Sequence, residues 1–324
     1  MTPYYADDWL TVYLGDCREV MAAMEPESVH CVVTSPPYWG LRDYGIGGQL
    51  GLEPTPELFV EAMVAVFREV KRVLRKDGTV WLNLGDSYAT GAGSVGDRPG
   101  GGRQGDNWKG AMTSPNRMPL PGLKPKDLVG VPWRVAFALQ ADGWYLRSDI
   151  VWAKPNPMPE SVTDRPTKAH EYVFLLSKSP RYYYDADAVR EAPAESVVAR
   201  AAYMVGGTKR DPRPTDHGSP DMGTRKSFAD YASSGRNLRS VWNIATEPYP
   251  GAHFATFPRA LVEPCIKAGS PSGGVVLDPF AGSGTTGLVA QSLSRRAVLI
   301  DLSADYLTQL MDRNRDIPLG LAGG

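Results

Sequence analysis

Thr34-Ser35-Pro36-Pro37-Tyr38-Trp39 is the stretch of sequence that decides the fold, and it directly follows the apolar run Val29-His30-Cys31-Val32-Val33. A short β-branched run of this kind predicts a buried strand. The strand must stop at the two prolines, because proline has no amide hydrogen with which to continue a central ladder. The stretch therefore lies at the carboxyl end of a strand, which is the edge where open α/β sheets bind their ligands.

The loop after this strand offers hydrogen-bond acceptors and an aromatic ring. Pro36 and Pro37 stiffen the backbone, so the Ser35 hydroxyl and the Pro36 carbonyl keep set directions, and the Tyr38 ring can stack on a flat partner. Two acceptors suit an exocyclic amine on an aromatic base, because drawing both hydrogens out of the plane localises the nitrogen lone pair for attack. A base in a duplex must be flipped out to reach them. A rigid turn over a packed aromatic ring is the structural alternative.

A second motif lies near the other end of the chain. Val275-Val276-Leu277-Asp278 predicts a strand, and Pro279-Phe280-Ala281-Gly282-Ser283-Gly284 predicts a glycine-rich turn before a helix that begins near Thr286. Glycines let a ligand approach the backbone, and a helix N-terminus favours electronegative groups. The next strand, Ala297-Val298-Leu299-Ile300, ends at Asp301, an acid suitably spaced to hold ribose hydroxyls. The sequence here predicts a nucleoside cofactor.

The glycines of this second motif leave a nicotinamide cofactor open. Gly282, Gly284 and Gly287 spell G-x-G-x-x-G, which on its own is a weak pointer to NAD. Only about two strands fit between Gly273 and the C-terminus, whereas a dinucleotide fold needs two mononucleotide halves in succession. The missing strands must come from the N-terminal part, and no lysine follows the glycines as a phosphate-gripping P-loop requires.

The early Ser35-Pro36-Pro37-Tyr38 motif and the late Asp278–Thr285 motif, in this order, resemble the amino-directed DNA methyltransferases of the permuted β group. The resemblance covers most of residues 10–90, 124–185 and 240–310. It implies a class I S-adenosylmethionine-dependent methyltransferase fold, that is, a Rossmann-like α/β fold with a mostly parallel sheet, circularly permuted, with an inserted target-recognition region. It also implies S-adenosyl-L-methionine as cofactor and double-stranded DNA as substrate.

Site residues follow from the two motifs and from this resemblance. Ser35, Pro36, Pro37 and Tyr38 are the candidate catalytic residues. Asp16 has two open interpretations, a cofactor contact and a helix N-cap. Phe257, in a segment that resembles a motif before the cofactor strand, is expected near the methionine end of the cofactor. The full set predicted to bind the cofactor is Asp16, Thr34, Phe257, Asp278, Phe280, Gly282, Ser283, Gly284, Thr285, Thr286 and Asp301, and the set predicted to bind DNA is Trp39, Trp152, Asn156, Arg210, Arg213 and Arg236.

Composition divides the chain into three parts. Residues 1–185 are expected to form the N-terminal part of the catalytic domain, with a glycine-rich stretch over 91–122 as a loop that orders on DNA or as a solvated linker. Residues 186–240 combine basic side chains with interleaved aromatics, which suits target recognition, although a surface insertion is the alternative. Residues 241–324 complete the catalytic domain. Apolar periodicity predicts helices over 18–24, 56–74, 127–140 and 261–268 and strands over 11–16, 79–86, 144–154 and 170–178.

The overall composition narrows the class of protein. The net charge of −1 gives no general nucleic-acid signal, so DNA contacts must come from local patches. The three cysteines have no metal-ligand spacing, and no metal is expected. The N-terminus resembles neither a signal peptide nor a membrane segment, so a cytoplasmic protein that associates with the nucleoid through DNA is expected.

The target base is left open between two amines. Ser35 at the first position of its motif resembles the cytosine-N4 members of the family, whereas Asp or Asn is usual in adenine-N6 members. Pro264-Cys265 also suggests a cytosine-C5 nucleophile, but Cys265 falls inside a predicted helix, where a buried core thiol is favoured. A nicotinamide oxidoreductase and a silent DNA-binding module remain as other classes, and a cognate restriction endonuclease is a candidate partner.

Overall fold

The computed structural model of the protein describes residues 1–41, 45–89, 122–193, 235–247 and 257–315. These residues belong to two compact units. The first unit comprises residues 1–184 and 240–324, and the second comprises residues 185–239. Nearly all of the loop predicted over 91–122 lies outside the described residues, as do Arg210 and Arg213.

The first unit is built on one mixed sheet, to which the described residues contribute nine strands in the order β1-β2-β9-β8-β3-β4-β6-β5-β7. Five of the eight pairings are parallel, while β1 with β2, β4 with β6 and β6 with β5 are antiparallel. The strands are β1 (Tyr5–Ala6), β2 (Leu10–Leu14), β3 (Val29–Thr34), β4 (Leu74–Leu84), β5 (Tyr145–Ala153), β6 (His170–Ser177), β7 (Val241–Asn243), β8 (Val275–Asp278) and β9 (Arg296–Asp301).

Six helices of the described residues accompany this sheet. They are α1 (Cys17–Ala22), α2 (Pro56–Val73), α3 (Val131–Ala141), α4 (Arg259–Gly269), α5 (Thr285–Ser292) and α6 (Ala304–Arg315). None of them is long and apolar enough to span a membrane. The helix α6 and the short strands β1 and β7 are additions to the elements that the sequence predicted.

The sheet order brings the two ends of the sequence together. Strand β3 lies between β8 and β4, and it pairs in parallel with both of them. Cys31 is opposite Val276, and Val32 is opposite Leu277. Because parallel strands end at the same edge of a sheet, the loop that follows Thr34 and the turn that follows Asp278 start side by side.

The longest helix shows why the predicted elements form where they do. Thr55 caps α2 by accepting a hydrogen bond from the Leu58 amide at 3.3 Å, and one face of the helix is fully buried through Phe59, Met63, Phe67 and Val70. Burial of such a face stabilises the fold by about 1.5–3 kcal/mol for each large side chain. The helix is therefore held chiefly by its packing.

Two predicted boundaries shift for identifiable reasons. Helix α2 ends at Val73, before Asp77-Gly78, because Leu74 is already extended and pairs with Val29 as the first residue of β4. Helix α3 begins at Val131, four residues later than predicted. Gly130 precedes it with a φ of 77°, and the Asp86 carboxylate accepts the amide hydrogens of Gly130 and Val131.

Candidate active site

A cavity of about 610 Å³ opens at the carboxyl edge of the strands in the first unit. The loop of Ser35, Pro36, Pro37 and Tyr38 lines one side, and the turn from Pro279 to Ser283 lines the other, together with Thr285. The two motifs, which are separated by about three quarters of the chain, thus share one cavity. We call the side that carries the glycine turn the glycine wall, and the side that carries Ser35 and Tyr38 the serine wall.

Asp278 is the buried centre of the glycine wall. Its Oδ1 accepts a hydrogen bond from the Thr34 hydroxyl at 2.7 Å and from the Phe280 amide at 3.1 Å, and its Oδ2 accepts one from the Thr286 hydroxyl at 2.6 Å. Burial raises the pKa of this carboxyl from 3.8 to about 6, against the opposing effect of these bonds. One carboxylate, that of Asp278, therefore joins the end of β3, the start of the glycine turn and the N-terminus of α5 through hydrogen bonds.

The glycines of the turn are required by backbone shape and by packing. Gly284 has a φ of 76°, and a Cβ at this position would lie 2.6 Å from Leu310 Cγ. A Cβ at Gly287 would lie 2.6 Å from Leu299 Cδ1. The third glycine of the G-x-G-x-x-G pattern thus allows close packing of α5 against β9.

Two acidic residues border the glycine wall, and both line the cavity. Asp301 accepts hydrogen bonds from the Gly282 and Ser303 amides, each at 2.8 Å, and burial raises its pKa. Asp16 caps α1 by accepting from the Arg18 amide at 2.8 Å, and its hydrogen bond from the Arg18 guanidinium holds its pKa below the usual range. The position of Asp16 is thus compatible with both interpretations that the sequence left open.

Other residues predicted to bind the cofactor lie on or behind the same wall. Phe257, Phe280, Gly282, Ser283 and Thr285 line the cavity. Thr34 and Thr286 are fully buried behind it, where they support Asp278.

The serine wall is a network of side chains from separate strands. The Ser35 hydroxyl lies 3.2 Å from Asn83 Oδ1 and 3.5 Å from the Tyr38 hydroxyl. Tyr38 in turn donates to Glu171 Oε2 at 2.7 Å, with Asn83 Oδ1 at 3.1 Å as its other neighbour. Lys154 Nζ forms an ion pair with Glu171 Oε1 and lies 4.3 Å from the centroid of the Trp152 ring. The Tyr38 ring packs against Gly85, where no Cβ would fit.

Asn83, Glu171 and Lys154 are site residues that the sequence analysis missed. Each was placed on a predicted strand, but nothing in the sequence shows which strand neighbours bring them to Ser35. Strand β6 pairs with β4 on one side and β5 on the other, and this pairing joins Asn83, Glu171 and Lys154. The available sequence signal was that Glu171 and Lys154, two charged residues, stand at the ends of apolar strands.

Several residues predicted to bind DNA have specific positions in the structure. Trp39 does not lie at the cavity, since it is only 4% exposed and its Nε1 donates to the Glu53 carbonyl oxygen at 2.9 Å. Trp152 and Asn156 line the cavity, where Trp152 Nε1 donates to the Ile244 carbonyl oxygen at 2.8 Å and Asn156 Oδ1 accepts from the Thr246 amide at 3.0 Å. The position of Trp39 thus gives no support to a base contact.

Two further predicted features are accounted for by local packing. In the second unit, Arg236 forms an ion pair with Glu191 at 2.7 Å, and its contact with DNA stays a prediction. In α4, Cys265 is buried, its thiol lies 3.2 Å from the Leu261 carbonyl oxygen, and burial raises its pKa well above 9.0. A buried thiol away from the cavity does not have the position of a nucleophile.

Among the described residues, no cluster of His, Cys, Asp and Glu could hold a metal ion.

Comparison with known proteins decides the family. The family model described as DNA methylase, which groups N6- and N4-methyltransferases, matches residues 29–312. The chain belongs to this DNA methylase family. It is 49% identical over 303 residues to the type II methyltransferase M.SmaI of Serratia marcescens, covering 93% of this chain and 89% of that protein. It is 47% identical over 304 residues to M.Cfr9I of Citrobacter freundii, covering 94% and 87%.

Solved structures show the same methylase fold. The PvuII DNA methyltransferase, titled cytosine-N4-specific, aligns with a TM-score of 0.63 at 19% identity, over 96% of this chain and 88% of that one. A DNA modification methylase from Thermus thermophilus, solved in complex with S-adenosyl-L-methionine, aligns with a TM-score of 0.56 at 24% identity, over 95% of both chains. Membership of the methylase family makes the nicotinamide oxidoreductase alternative wrong, and this DNA methylase is a methyltransferase that acts on DNA.

Proposed function

We propose that this DNA methylase transfers a methyl group from S-adenosyl-L-methionine to the N4 amine of a cytosine flipped out of duplex DNA. The same reaction at adenine N6 is the alternative. The observation that carries the proposal is that Ser35 and the glycine turn line one cavity of about 610 Å³. A cavity of this size accommodates a cofactor with an adjoining base.

The residues of the glycine wall fit the proposed cofactor. The glycine turn lets a ligand approach the backbone. The Asp301 carboxylate has about four acceptor sites, and with the Gly282, Leu302 and Ser303 amides as donors it retains a lone pair for a ribose hydroxyl. Phe257 and Phe280 give the cavity apolar surface. The bound cofactor would supply an electrophilic methyl group on a positively charged sulfur, while Asp278 holds the wall in place.

The serine wall has the groups that a target amine requires. Ser35 offers its hydroxyl oxygen and Pro36 its carbonyl oxygen, and both residues line the cavity. Accepting the two amine hydrogens localises the nitrogen lone pair and aims it at the glycine wall. In this scheme the chain acts by positioning: the methylated amine would carry a positive charge and would release its extra proton to solvent, so that no strong general base is needed.

Three finer parts of the proposal rest on sequence and on relatives. Ser35 supports cytosine N4 over adenine N6, as in the methyltransferases that its motif resembles. The order of the motifs supports a circularly permuted fold, and the basic, aromatic composition of 186–240 supports an inserted target-recognition region that includes Arg210, Arg213 and Arg236. The type II names of the relatives support a cognate restriction endonuclease as partner.

One experiment tests the reaction and the base together. DNA from cells that express the protein is sequenced with detection of both N4-methylcytosine and N6-methyladenine, and purified protein is incubated with labelled S-adenosyl-L-methionine and unmodified DNA. We expect N4-methylcytosine at one short sequence. N6-methyladenine at one sequence would establish the alternative, and no incorporation of label would overturn the proposal.

A matched pair of variants links the reaction to the cavity. Ser35→Ala is expected to lower kcat by about 100-fold, by analogy with the loss of one positioned group in an active site. Ser292→Ala is the control, because the Ser292 hydroxyl donates to the Val289 carbonyl oxygen at 2.8 Å within α5 and does not line the cavity. Equal activity of the two variants would contradict the role of Ser35.

A further inference from the structure

The Asn83 side chain has one orientation that its surroundings allow. Its Nδ2 lies 3.2 Å from Glu171 Oε2 and 3.1 Å from the Tyr172 carbonyl oxygen, and a carboxylate and a carbonyl can only accept. If the amide turned over, its oxygen would face two acceptors and both amide hydrogens would lose these partners. The Oδ1 atom of Asn83 must therefore point towards Ser35 and Tyr38.

This orientation decides where the Ser35 hydroxyl proton lies. Asn83 Oδ1 is 3.2 Å from Ser35 Oγ and can only accept, so Ser35 donates to it. The other neighbour of Ser35 is the Tyr38 hydroxyl at 3.5 Å. This hydroxyl donates its own proton to Glu171 Oε2 at 2.7 Å. The Ser35 proton is therefore directed along the serine wall at Asn83, and the lone pairs of the hydroxyl oxygen remain for a ligand in the cavity.

Glu171 maintains the arrangement as an acceptor that Tyr38 and Asn83 share. Its Oε2 accepts hydrogen bonds from the Tyr38 hydroxyl and the Asn83 amide, while its Oε1 forms the ion pair with Lys154. The carboxyl is held in place by these three donors, and its side chain is only 16% exposed. With Lys154 on Oε1, the Oε2 atom is held where it accepts from both the Tyr38 hydroxyl and the Asn83 amide.

We infer that Asn83, held by Glu171, is a positioning residue that makes the Ser35 hydroxyl an obligate acceptor, and that the site thereby selects target bases with an exocyclic amine over bases with a carbonyl. A hydroxyl that is free to rotate would accept from an amine or donate to a carbonyl equally well. In this site donation to a carbonyl would require breaking the bond to Asn83. The inference rests on the proposed function and names the chemical feature of the substrate that the site reads.

A double-mutant cycle separates this role from a general structural one. Asn83→Leu, Ser35→Ala and the double variant are compared by kcat, with S-adenosylhomocysteine affinity as a check on folding. We expect Asn83→Leu to lower kcat by about tenfold in the wild-type background and by less than about twofold in the Ser35→Ala background, since no hydroxyl remains to be oriented. The same loss in both backgrounds, or no loss in the wild-type background, would overturn the inference.

Binding supplies a second readout that does not depend on turnover. The probes are two duplexes that contain the site methylated by the wild type, one with the natural target base and one with its carbonyl counterpart: uracil for cytosine, or hypoxanthine for adenine. With S-adenosylhomocysteine present, we compare the affinity for the natural base with the affinity for its carbonyl counterpart. We expect this ratio to fall by about tenfold in Asn83→Leu. An unchanged ratio contradicts the inference.

A Glu171 pair covers the case in which Asn83→Leu does not fold. Glu171→Leu removes the acceptor that fixes the Asn83 amide and is expected to lower the same affinity ratio. Glu171→Gln keeps an acceptor oxygen and is expected to retain most of the wild-type ratio. Equal ratios in the two variants would contradict the inference. Failure of the proposed function is distinguishable, because in that case the wild type itself transfers no methyl group.

Discussion

The two walls of the cavity are built in different ways. The glycine wall comes mainly from one continuous stretch, in which the residues from Pro279 to Ser283 line the cavity and one fully buried acid, Asp278, holds the turn in place. The serine wall is assembled from side chains of Ser35, Asn83 and Glu171, which belong to three separate parts of the sequence. Backbone shape thus defines one wall, and hydrogen-bond direction defines the other.

This difference predicts how the walls respond to substitution. Asp278 ties β3, β8 and α5 together, so damage to the glycine wall should appear as lost stability and weakened cofactor binding. Asn83 and Glu171 line the cavity at the ends of β4 and β6, where their side chains hydrogen-bond to each other and to the loop of Ser35 and Tyr38. Damage to the serine wall should therefore appear in kcat, with the fold and the cofactor affinity retained.

The largest expected effect is the loss of Asp278. Asp278→Ala leaves the Thr34 and Thr286 hydroxyls and the Phe280 amide without their acceptor, and it should lower the free energy of unfolding by roughly 3–5 kcal/mol. Asp278→Asn keeps one oxygen acceptor and should lose less than half as much. Urea unfolding measures both, and equal losses in the two variants would show that these hydrogen bonds are not what stabilises the wall.

The second prediction concerns pH and the same residue. Burial raises the pKa of Asp278 from 3.8 to about 6, so between these values the folded state binds a proton that the unfolded state has released. The contribution of Asp278 to stability is therefore complete below about pH 4 and declines as the pH rises to about 6, by up to about 3 kcal/mol.

Asp278→Asn isolates the titration of residue 278, because Asn does not titrate and Asp301, whose charge contributes to the raised pKa of Asp278, is retained in both proteins. The free energy of unfolding of the wild type minus that of Asp278→Asn, measured in urea at pH 4, 5, 6 and 7, should fall over the window and level off above it. A difference that rises with pH would mean that the carboxyl is stabilised in its charged form.

The glycine wall was predictable from the sequence because its information is local. A strand, a glycine turn and a helix start follow one another between Val275 and Thr286, and Asp301 ends the next strand. Each of these signals depends on neighbours in sequence, and the α/β fold class follows from them. The buried partnership of Asp278 with Thr34 is the part of this wall that only the sheet order shows.

The serine wall was predictable only in its first residues. Ser35 and Tyr38 belong to a recognisable motif, but their partners Asn83 and Glu171 depend on β6 running antiparallel to β4, a pairing that no local pattern encodes. Trp39 also shows what a local pattern does not encode. Its neighbour Tyr38 lines the cavity, yet the chain turns at this point and directs Trp39 into the core.

The third prediction tests backbone shape in the glycine wall. Gly284→Ala places a side chain where φ is 76° and where Cβ would lie 2.6 Å from Leu310 Cγ and 2.7 Å from Asn314 Nδ2. We expect a loss of roughly 2–3 kcal/mol in unfolding free energy and weaker S-adenosylhomocysteine binding. Calorimetry measures both quantities on the same samples.

Gly273→Ala is the matched control for this substitution. Gly273 has a φ of 74°, but a Cβ there meets nothing within 4 Å, so only the backbone penalty of about 1 kcal/mol applies. Cofactor affinity should stay at the wild-type value in this control. If the two variants behave alike, then close packing against α6 does not shape the glycine wall.

The smallest expected effect comes from a glycine-to-alanine substitution in the serine wall. A Cβ at Gly85 would overlap Tyr38 Cε2 and would lie 2.9 Å from Cδ2, so Gly85→Ala must displace the ring and with it the hydroxyl that meets Glu171 at 2.7 Å. Because small misplacements of a positioning group are costly to rate, we expect kcat to fall by about tenfold while S-adenosylhomocysteine affinity is unchanged. Gly47→Ala, where a Cβ meets nothing within 4 Å, should leave both quantities at the wild-type value. Should Gly85→Ala instead weaken cofactor binding and spare kcat, the two walls would not be separable in function, because a displacement on the serine wall would have been transmitted to the glycine wall.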